Sequence, residues 1–306
     1  MSYTPNYLVK LLKGEKIDRR TAIIGALEGV GLLKSLDAIA QFAPSPAYAQ
    51  ASTKTHMDHV RAMEGRSDKE RGQYVIDALK SLGLEHRVEN YRVALSEGFN
   101  VIFETGSGQR TIVFTSHYDV VPSSPGANDD ASCVAVALTS YQELIKQELK
   151  NVRVRFIVFG HEEINAAGSQ HYVKSASNLE NVVGVYSLEL CGIGDTIFAW
   201  DVVNPELTNS EMMKVLQTVL KNKGIPLEIR GIVRTHGNAR NYSDHVSFMG
   251  KGVNGFGLSV LPKDNTRGVF TLYHTPFDKS STLDPKAMQR MQDVVIGIAN
   301  EFNESK

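Results

Sequence analysis

Two adjacent glutamates, Glu162 and Glu163, are the residues whose position points most directly to chemistry. They follow Gly160 and His161 at the end of the alternating run 152–159, which predicts a β-strand. Carboxylates at the end of a buried strand are costly to desolvate unless positive charge lies beside them. In an open α/β sheet this edge is also where ligands bind. A dinuclear metal site meets both conditions, with one glutamate as ligand and the other as base; a solvated acidic turn is the alternative for the pair alone.

A second strand-like run supplies a histidine and an aspartate. Residues 111–116 are apolar and β-branched, which predicts a buried strand, and the run ends in His117-Tyr118-Asp119. Because side chains i and i+2 of a strand share a face, we expect His117 and Asp119 to point the same way. This arrangement suits a metal-binding imidazole that a neighbouring carboxylate orients. Taken alone, the pair is more typical of a structural histidine.

Three further segments carry acids and a histidine. Asp129 and Asp130 open a helical stretch, where capping explains one aspartate and a metal-bridging role is expected for the other. Glu189 ends an apolar strand-like run and is expected to be either a metal ligand or a salt-bridge partner. His274 precedes a proline-containing turn, and Asp278 is a candidate to orient its ring.

Together these segments provide oxygen and nitrogen donors and no thiolate. The candidate metal ligands are His117, Asp129, Glu163, Glu189 and His274. Glu162 is left over as the candidate base. This donor mix fits a hydrolytic pair of zinc ions with positions open for water and substrate, not a closed structural site. We therefore expect two Zn²⁺ ions per chain, with other divalent ions as an alternative.

The order of these motifs resembles peptidase family M28, the cocatalytic zinc peptidases of the bacterial aminopeptidase type. The likeness extends from about Thr55 to the C-terminus. The matching motifs are His-x-Asp at 117–119, Gly-Ala-x-Asp-Asp-Ala-Ser at 126–132, Glu-Glu at 162–163, Tyr-Ser-Asp-His at 242–245 and His-Thr-Pro-x-Asp at 274–278. The resemblance implies a zinc-peptidase fold, a peptide substrate and release of N-terminal residues.

The resemblance also implies a division of the ligands between the two ions. One metal is assigned to His117, Asp129 and Glu189. The other is assigned to Asp129, Glu163 and His274, so Asp129 bridges the pair. Glu189 stands where many relatives have aspartate, and its longer side chain should still reach the metal although the spacing between the ions could change.

Two catalytic roles follow from the same likeness. Glu162 matches the general base, and Tyr242 matches a tyrosine that helps to stabilise the tetrahedral oxyanion. Cys133, which stands where glycine is usual, and Cys191 are expected to be small buried hydrophobic residues. Thiolate ligation is the alternative for them.

Other functions lack their motifs. Asn165 replaces the second histidine of a His-Glu-x-x-His zinc helix, and neither a Gly-x-Ser-x-Gly elbow nor a Walker loop is present. A net charge of -1 and a sequence pI near 6.8 argue against a nucleic-acid partner. Three alternatives to an aminopeptidase stay open: a glutaminyl-cyclase-like transferase with a single zinc, a carboxypeptidase-type exopeptidase, and an inactive metal-bound binding module.

The pattern of apolar runs predicts the fold class. Strand-like and helical runs alternate along the 306 residues, which favours an α/β three-layer sandwich with a mainly parallel, mixed central sheet flanked by helices. Helices are predicted near residues 70–83, 130–149, 168–177, 206–223 and 285–303, the last with Asp284 as N-cap and proline at its first position. We expect residues 51–306 to form a single catalytic domain.

Residues 1–50 differ in character. Arg19-Arg20, a moderately apolar stretch and the Ala-x-Ala pattern at 47–49 favour an export signal and a periplasmic or secreted protein. An amphipathic helix packed on a cytoplasmic protein is the alternative, with Ile23, Leu27 and Val30 at helical spacing. No run of ~20 uncharged apolar residues exists, so a membrane anchor is not expected. The sequence leaves the oligomeric state open.

Overall fold

A mixed sheet of eight strands organises the residues that the computed structural model describes, which are 54–93, 96–201, 205–230 and 243–305. The strands are β1 Arg87–Val93, β2 Ser96–Thr105, β3 Arg110–His117, β4 Val152–Phe159, β5 Val182–Leu188, β6 Thr196–Trp200, β7 Leu227–Ile229 and β8 Gly255–Leu261. Their order across the sheet is β1-β2-β4-β3-β5-β8-β6-β7. The central strands β4, β3, β5 and β8 run parallel, and antiparallel neighbours flank them on both sides.

The central strands are buried on both faces because their side chains alternate between two apolar layers. Phe114 and Phe156 pack into the larger core cluster, whereas Val113 and Ile157 pack into a second cluster on the opposite face. Phe156 stacks on Phe114 at 5.6 Å and on Phe103 at 5.4 Å between ring centroids. Parallel strands require this double cover, which explains their nearly continuous apolar sequence.

Helices supply the two outer layers. They are α1 His56–Met63, α2 Asp68–Ser81, α3 Ser132–Leu144, α4 Ala167–Tyr172, α5 Ala176–Leu179, α6 Pro205–Thr208, α7 Glu211–Lys223, α8 His245–Met249, α9 Thr266–Phe270 and α10 Pro285–Glu304. Helices α1, α3, α7 and α10 pack together over the larger cluster. On the other face, Tyr172 of α4 and Phe248 of α8 lie 5.7 Å apart and join the second cluster. The predicted three-layer α/β fold with a mixed sheet is confirmed.

The predicted helices match the observed ones to different degrees. The last one is correct within a residue, and the Asp284 carboxylate caps it by accepting from the backbone N–H of Lys286 at 2.9 Å. The predictions for 168–177 and 206–223 were each wrong in treating two helices as one. Ser175 and Ser210 are extended N-cap residues that begin a new helix in each case. The prediction for 130–149 is too long because the chain leaves the helix after Leu144 through tight turns.

Residues 1–53 lie outside the described residues, and the predicted export signal and the alternative packed helix lie there with them. Within the described ranges, no helix has the length and apolar character needed to cross a membrane.

Candidate metal centre

The carboxyl ends of three neighbouring strands bring most of the candidate ligands together. His117 is the last residue of β3, Glu163 follows β4, and Glu189 follows β5 directly. Asp129 comes from the turn at Ala127–Ala131, where its backbone angles are not helical, and His274 follows α9. Because β4, β3 and β5 are parallel neighbours, their ends meet at the same edge of the sheet.

Asp129 lies between two histidines. Its Oδ1 is 3.2 Å from Nε2 of His117, and its Oδ2 is 3.0 Å from Nε2 of His274. Glu189 Oε2 lies 3.6 Å from the His117 nitrogen, and Glu163 Oε1 lies 3.1 Å from the His274 nitrogen. The result is two clusters that share one aspartate, each with donor atoms within 4.8 Å of one another.

These donors suit zinc. Imidazole nitrogen and carboxylate oxygen are ordinary zinc ligands. The cluster around His117 offers four of them, from His117, Asp129, Asp130 and Glu189, and the cluster around His274 offers three, with no thiolate in either. The carboxylates also require positive charge between them. Although burial opposes it, Asp129 and Glu163 raise the pKa of His274 to about 9. Burial alone would raise the pKa of Asp129, but hydrogen bonds to His117 and His274 hold it below its usual range. A cation in each cluster would replace the protons that the histidines otherwise carry.

Asp119 connects the two sides of this centre. Its Oδ1 and Oδ2 accept hydrogen bonds from the backbone N–H groups of Glu162 and Glu163, each at 3.0 Å. His117 Nδ1 lies 3.1 Å from the backbone oxygen of Asp119 and 3.5 Å from its carboxylate. One residue therefore holds both the His117 ring and the turn that carries the paired glutamates.

Glu162 lies beside the candidate metal centre and, unlike Asp129, does not lie between the two histidines. It shares a cluster of possible donor atoms with His117 and Glu163. Burial raises the pKa of Glu162 well above its usual value, and the nearby Glu189, Asp244 and Glu163 carboxylates add to this against the opposing effect of His117. Protonation of Glu162 would relieve its repulsion from these carboxylates.

Two neighbouring acids act on the backbone. Asp130 is fully buried, and its Oδ2 accepts from the N–H of His117 at 3.1 Å. The Asp278 carboxylate accepts from the N–H groups of Asn128 at 2.6 Å and Asp129 at 3.1 Å. The prediction that Asp278 orients the His274 ring is therefore replaced by a different contact, since Asp278 holds the Asp129 turn.

Left-handed backbone conformations concentrate around the centre. Among non-glycine residues, His161 precedes the paired glutamates with φ 55°, Leu190 follows Glu189 with φ 54°, and His274 itself has φ 58°. Asn165 and Ala166, just after the glutamates, have φ 57° and 53°. Such conformations are unfavourable for side chains other than glycine and persist where surrounding structure enforces them, typically at functional sites.

Sequence reasoning missed Arg71. It lies in the charged segment Asp68-Lys69-Glu70-Arg71 of α2, which looks like an exposed helix face, yet its side chain is fully buried. Its guanidinium donates to the backbone oxygens of Gly126 at 3.0 Å and Pro125 at 3.3 Å, just before the Asp129 turn, and to that of Tyr118. No local pattern reveals this burial, because it depends on the loops that fold over α2.

Ser243 and Tyr242, both in the Tyr-Ser-Asp-His motif, also bear on the predicted site. Ser243 Oγ donates to Glu189 Oε1 at 2.6 Å, a contact that sequence reasoning did not identify. Tyr242, the predicted oxyanion tyrosine, lies outside the described residues.

Known proteins similar to this chain include zinc aminopeptidases. A model of peptidase family M28 matches residues 100–299. Aminopeptidase YwaD of Bacillus subtilis is 29% identical over 190 residues, which are 62% of this chain and 40% of that protein. The solved structure of BSAP, a zinc aminopeptidase from Bacillus subtilis, has a TM-score of 0.57 at 25% identity, over 67% of this chain and 50% of that one.

A glutaminyl cyclase shares the fold as well. The glutaminyl cyclase of Porphyromonas gingivalis has a TM-score of 0.66 at 17% identity, over 85% of this chain and 99% of that one. The chain thus spans half or less of the length of these two aminopeptidases, and nearly all of the cyclase.

Proposed function

Since the chain belongs to peptidase family M28, we propose that it is a zinc-dependent aminopeptidase that releases N-terminal residues from peptides. The observation that carries the proposal is the position of Asp129, whose two oxygens face different histidines at 3.2 and 3.0 Å. A carboxylate in this position would serve as a ligand to both ions of a zinc pair. We assign one ion to His117, Asp129 and Glu189, and the other to Asp129, Glu163 and His274.

Bound zinc would supply Lewis acidity, which polarises a scissile carbonyl and lowers the pKa of water. The protein supplies the proton transfers. Glu162 takes a proton from the attacking water and later delivers it to the leaving amine. The same carboxyl group must accept the proton in the first step and hold it until the second. Asp119 fixes the turn that aims Glu162 by accepting from its backbone N–H.

Tyr242 is proposed to donate a hydrogen bond to the developing oxyanion, on the strength of its place in the Tyr-Ser-Asp-His motif. A donor aimed at developing charge acts more in the transition state than in the ground state. Tyr242→Phe should lower kcat by roughly 10–10³-fold with less change in KM and none in metal content. A core tyrosine would instead lower thermal stability and leave kcat unchanged.

The decisive experiment uses the purified full chain and a panel of aminoacyl chromogenic amides, with matched amides whose amino group is acetylated. Hydrolysis of the free-amine substrates, its loss on chelation and its recovery with Zn²⁺ would support the proposal. Equal cleavage of the acetylated substrates would contradict an aminopeptidase, as would release of C-terminal residues from a peptide.

Metal stoichiometry separates the leading alternative. Elemental analysis should find two zinc ions per chain for the peptidase, whereas a glutaminyl-cyclase-like transferase would hold one and would cyclise peptides with N-terminal glutamine. Two bound ions without turnover of any substrate would indicate a binding module.

We also propose that residues 51–306 form the catalytic domain and that the N-terminal segment directs export to the periplasm or outside the cell. The Arg19-Arg20 pair and the Ala-x-Ala pattern at 47–49 support this. Mass spectrometry of the protein from its native host would test the proposal. A mature chain that begins near residue 50 would support export, and an intact N-terminus in the cytoplasmic fraction would contradict it.

A further inference from the structure

Cys133 and Cys191 are neighbours behind the metal centre, and the proposed mechanism uses neither. Both side chains are fully buried, and their Sγ atoms are 2.8 Å apart. Non-bonded carbon atoms pack at roughly 3.5–4.0 Å, and sulfur is the larger atom. A disulfide bond is ~2.05 Å long, so the two sulfurs need to approach by less than ~1 Å to bond.

Hydrogen bonds on either side hold the two cysteines in this position. The backbone N–H of Cys191 donates to Ser132 Oγ at 3.0 Å, and that of Gly192 donates to Asn128 Oδ1 at 2.8 Å. The segment after β5 is thereby fixed against the start of α3, where Cys133 lies. These contacts hold the two segments beside each other and do not involve the thiols.

We propose that Cys133 and Cys191 form a disulfide bond that ties the segment carrying Asp129 to the segment carrying Glu189. Asp129 precedes Cys133 by four residues, and Glu189 precedes Cys191 by two. The bond therefore joins the two segments that supply candidate ligands to the same cluster. The proposal stands on the sulfur geometry and does not depend on the peptidase function.

The bond forms by exchange with a small disulfide such as oxidised glutathione. One cysteine thiolate attacks a glutathione sulfur, which breaks the glutathione disulfide, forms a mixed disulfide and releases one reduced glutathione. The second cysteine thiolate then attacks the protein sulfur of the mixed disulfide and releases the other glutathione. The two cysteines lose their protons and two electrons, and the two glutathione thiols gain them. Such bonds persist in oxidising compartments.

The test equilibrates the purified full chain in glutathione buffers that range from reduced to oxidised, then quenches it with acid, unfolds it and alkylates it. In oxidised buffers, intact mass spectrometry should show no alkylation and a mass lower by two hydrogen atoms. In reduced buffers, two alkyl groups should be added. Two alkylated cysteines at every buffer ratio, or persistent glutathione adducts, would overturn the proposal.

A second version of the experiment tests whether thiols stay reduced only because glutathione reaches the buried cysteines slowly. The chain is unfolded in urea and refolded in the same buffers, so that exchange occurs before burial. A chain that refolds with both thiols free in the most oxidised buffer would equally overturn the proposal.

Thermal unfolding measures what the bond does. The cysteines are 58 positions apart, and closing a loop of this size should raise Tm by roughly 5–15 °C in oxidised over reduced buffer. The matched control is the Cys133→Ala, Cys191→Ala double variant, whose Tm should be the same in both buffers. An equal buffer effect in the wild type and the double variant would contradict the proposed tie.

Discussion

The interior of the sheet and the edge formed by the carboxyl ends of its central strands differ in which side chains they bury and in their backbone conformation. In the interior, Phe114, Phe156 and Val158 are buried apolar side chains on regular strands. At the edge, Asp129, Asp130 and other acids are buried, and non-glycine residues adopt left-handed backbone conformations. Apolar packing favours folding, whereas buried like charges oppose it unless cations or hydrogen bonds offset them. The difference indicates that the edge is organised for binding and reaction and depends on the interior for its stability.

The largest expected effect tests whether Glu162 acts as a base and Glu163 as a metal ligand. Glu162→Gln should lower kcat by at least about 10²–10⁴-fold while both metals are retained, because the substitution removes the base and not a ligand. Glu163→Gln makes the identical change one residue later and should lower metal content as well. Elemental analysis and steady-state kinetics on both variants provide the measurement. Near-normal turnover by Glu162→Gln would refute the proposed base.

A core substitution tests the other half of the comparison. Phe156→Ala should lower the free energy of unfolding by about 3–5 kcal/mol, because it leaves a cavity between Phe103 and Phe114. The activity of the fraction that remains folded should change little. Urea unfolding and kinetics at low temperature measure the two effects separately. A large fall in kcat with unchanged stability would contradict the separation of roles.

The pattern of success and failure in sequence-based prediction follows the same division. Strand β4 has the bounds predicted from its apolar run, and β5 ends directly before Glu189 as predicted, since burial on both faces leaves a local signature. The acids and histidines at strand ends were identified as candidate ligands from the sequence because buried charge in such runs is rare. Strand β7, of only three residues, carries too little local signal, and it is defined by its pairing with β6.

What sequence reasoning could not find depends on contacts distant in the chain. Arg71 resembles a surface residue and is buried only because the loops around Tyr118 and Gly126 fold over it. The expected partner of Asp278 was wrong because its carboxylate reaches a turn about 150 positions earlier. Left-handed conformation at Leu190 has no signature in residue type, since leucine does not favour it.

The buried histidine of α1, His59, gives a pH-dependent test. Burial, with Lys54 and His56 adding to it, lowers the pKa of His59 to about 4. The unfolded chain protonates this residue near pH 6.5 and the folded chain does so only near 4, so stability is present above 6.5 and is lost as pH falls towards 4. The loss should reach about 3 kcal/mol, with no further loss from this group at lower pH.

The measurement is urea unfolding at pH 7 and pH 5 with chelator present, so that metal loss does not differ between conditions. His59→Gln serves as the control, because the amide can still contact the Tyr74 hydroxyl, which lies 2.8 Å from His59 Nδ1. A wild type no more sensitive to pH than His59→Gln would contradict the assignment.

The smallest expected effect concerns Arg71, whose guanidinium binds backbone oxygens just before the Asp129 turn. Arg71→Lys keeps the charge but cannot reach all the backbone oxygens that the guanidinium contacts. The Asp129 turn should become less well positioned, and zinc affinity should fall by roughly 10–100-fold, in the range for residues that orient ligands. Competition with a chelator of known affinity measures this. Lys69→Arg, on the same helix, serves as a control for changing a basic side chain. An unchanged zinc affinity in Arg71→Lys would show that Arg71 supports folding alone.

The clamp that Asp278 places on the Asp129 turn also sets when the centre can assemble during translation. The two partners are about 150 residues apart, and His274, a candidate ligand, lies in the same late segment. A nascent chain thus exposes its cluster of acids well before the ribosome delivers the residues that complete and hold it. The centre is therefore expected to stay incomplete until residues 274–278 emerge, which confines metal loading and catalysis to chains that already include these residues.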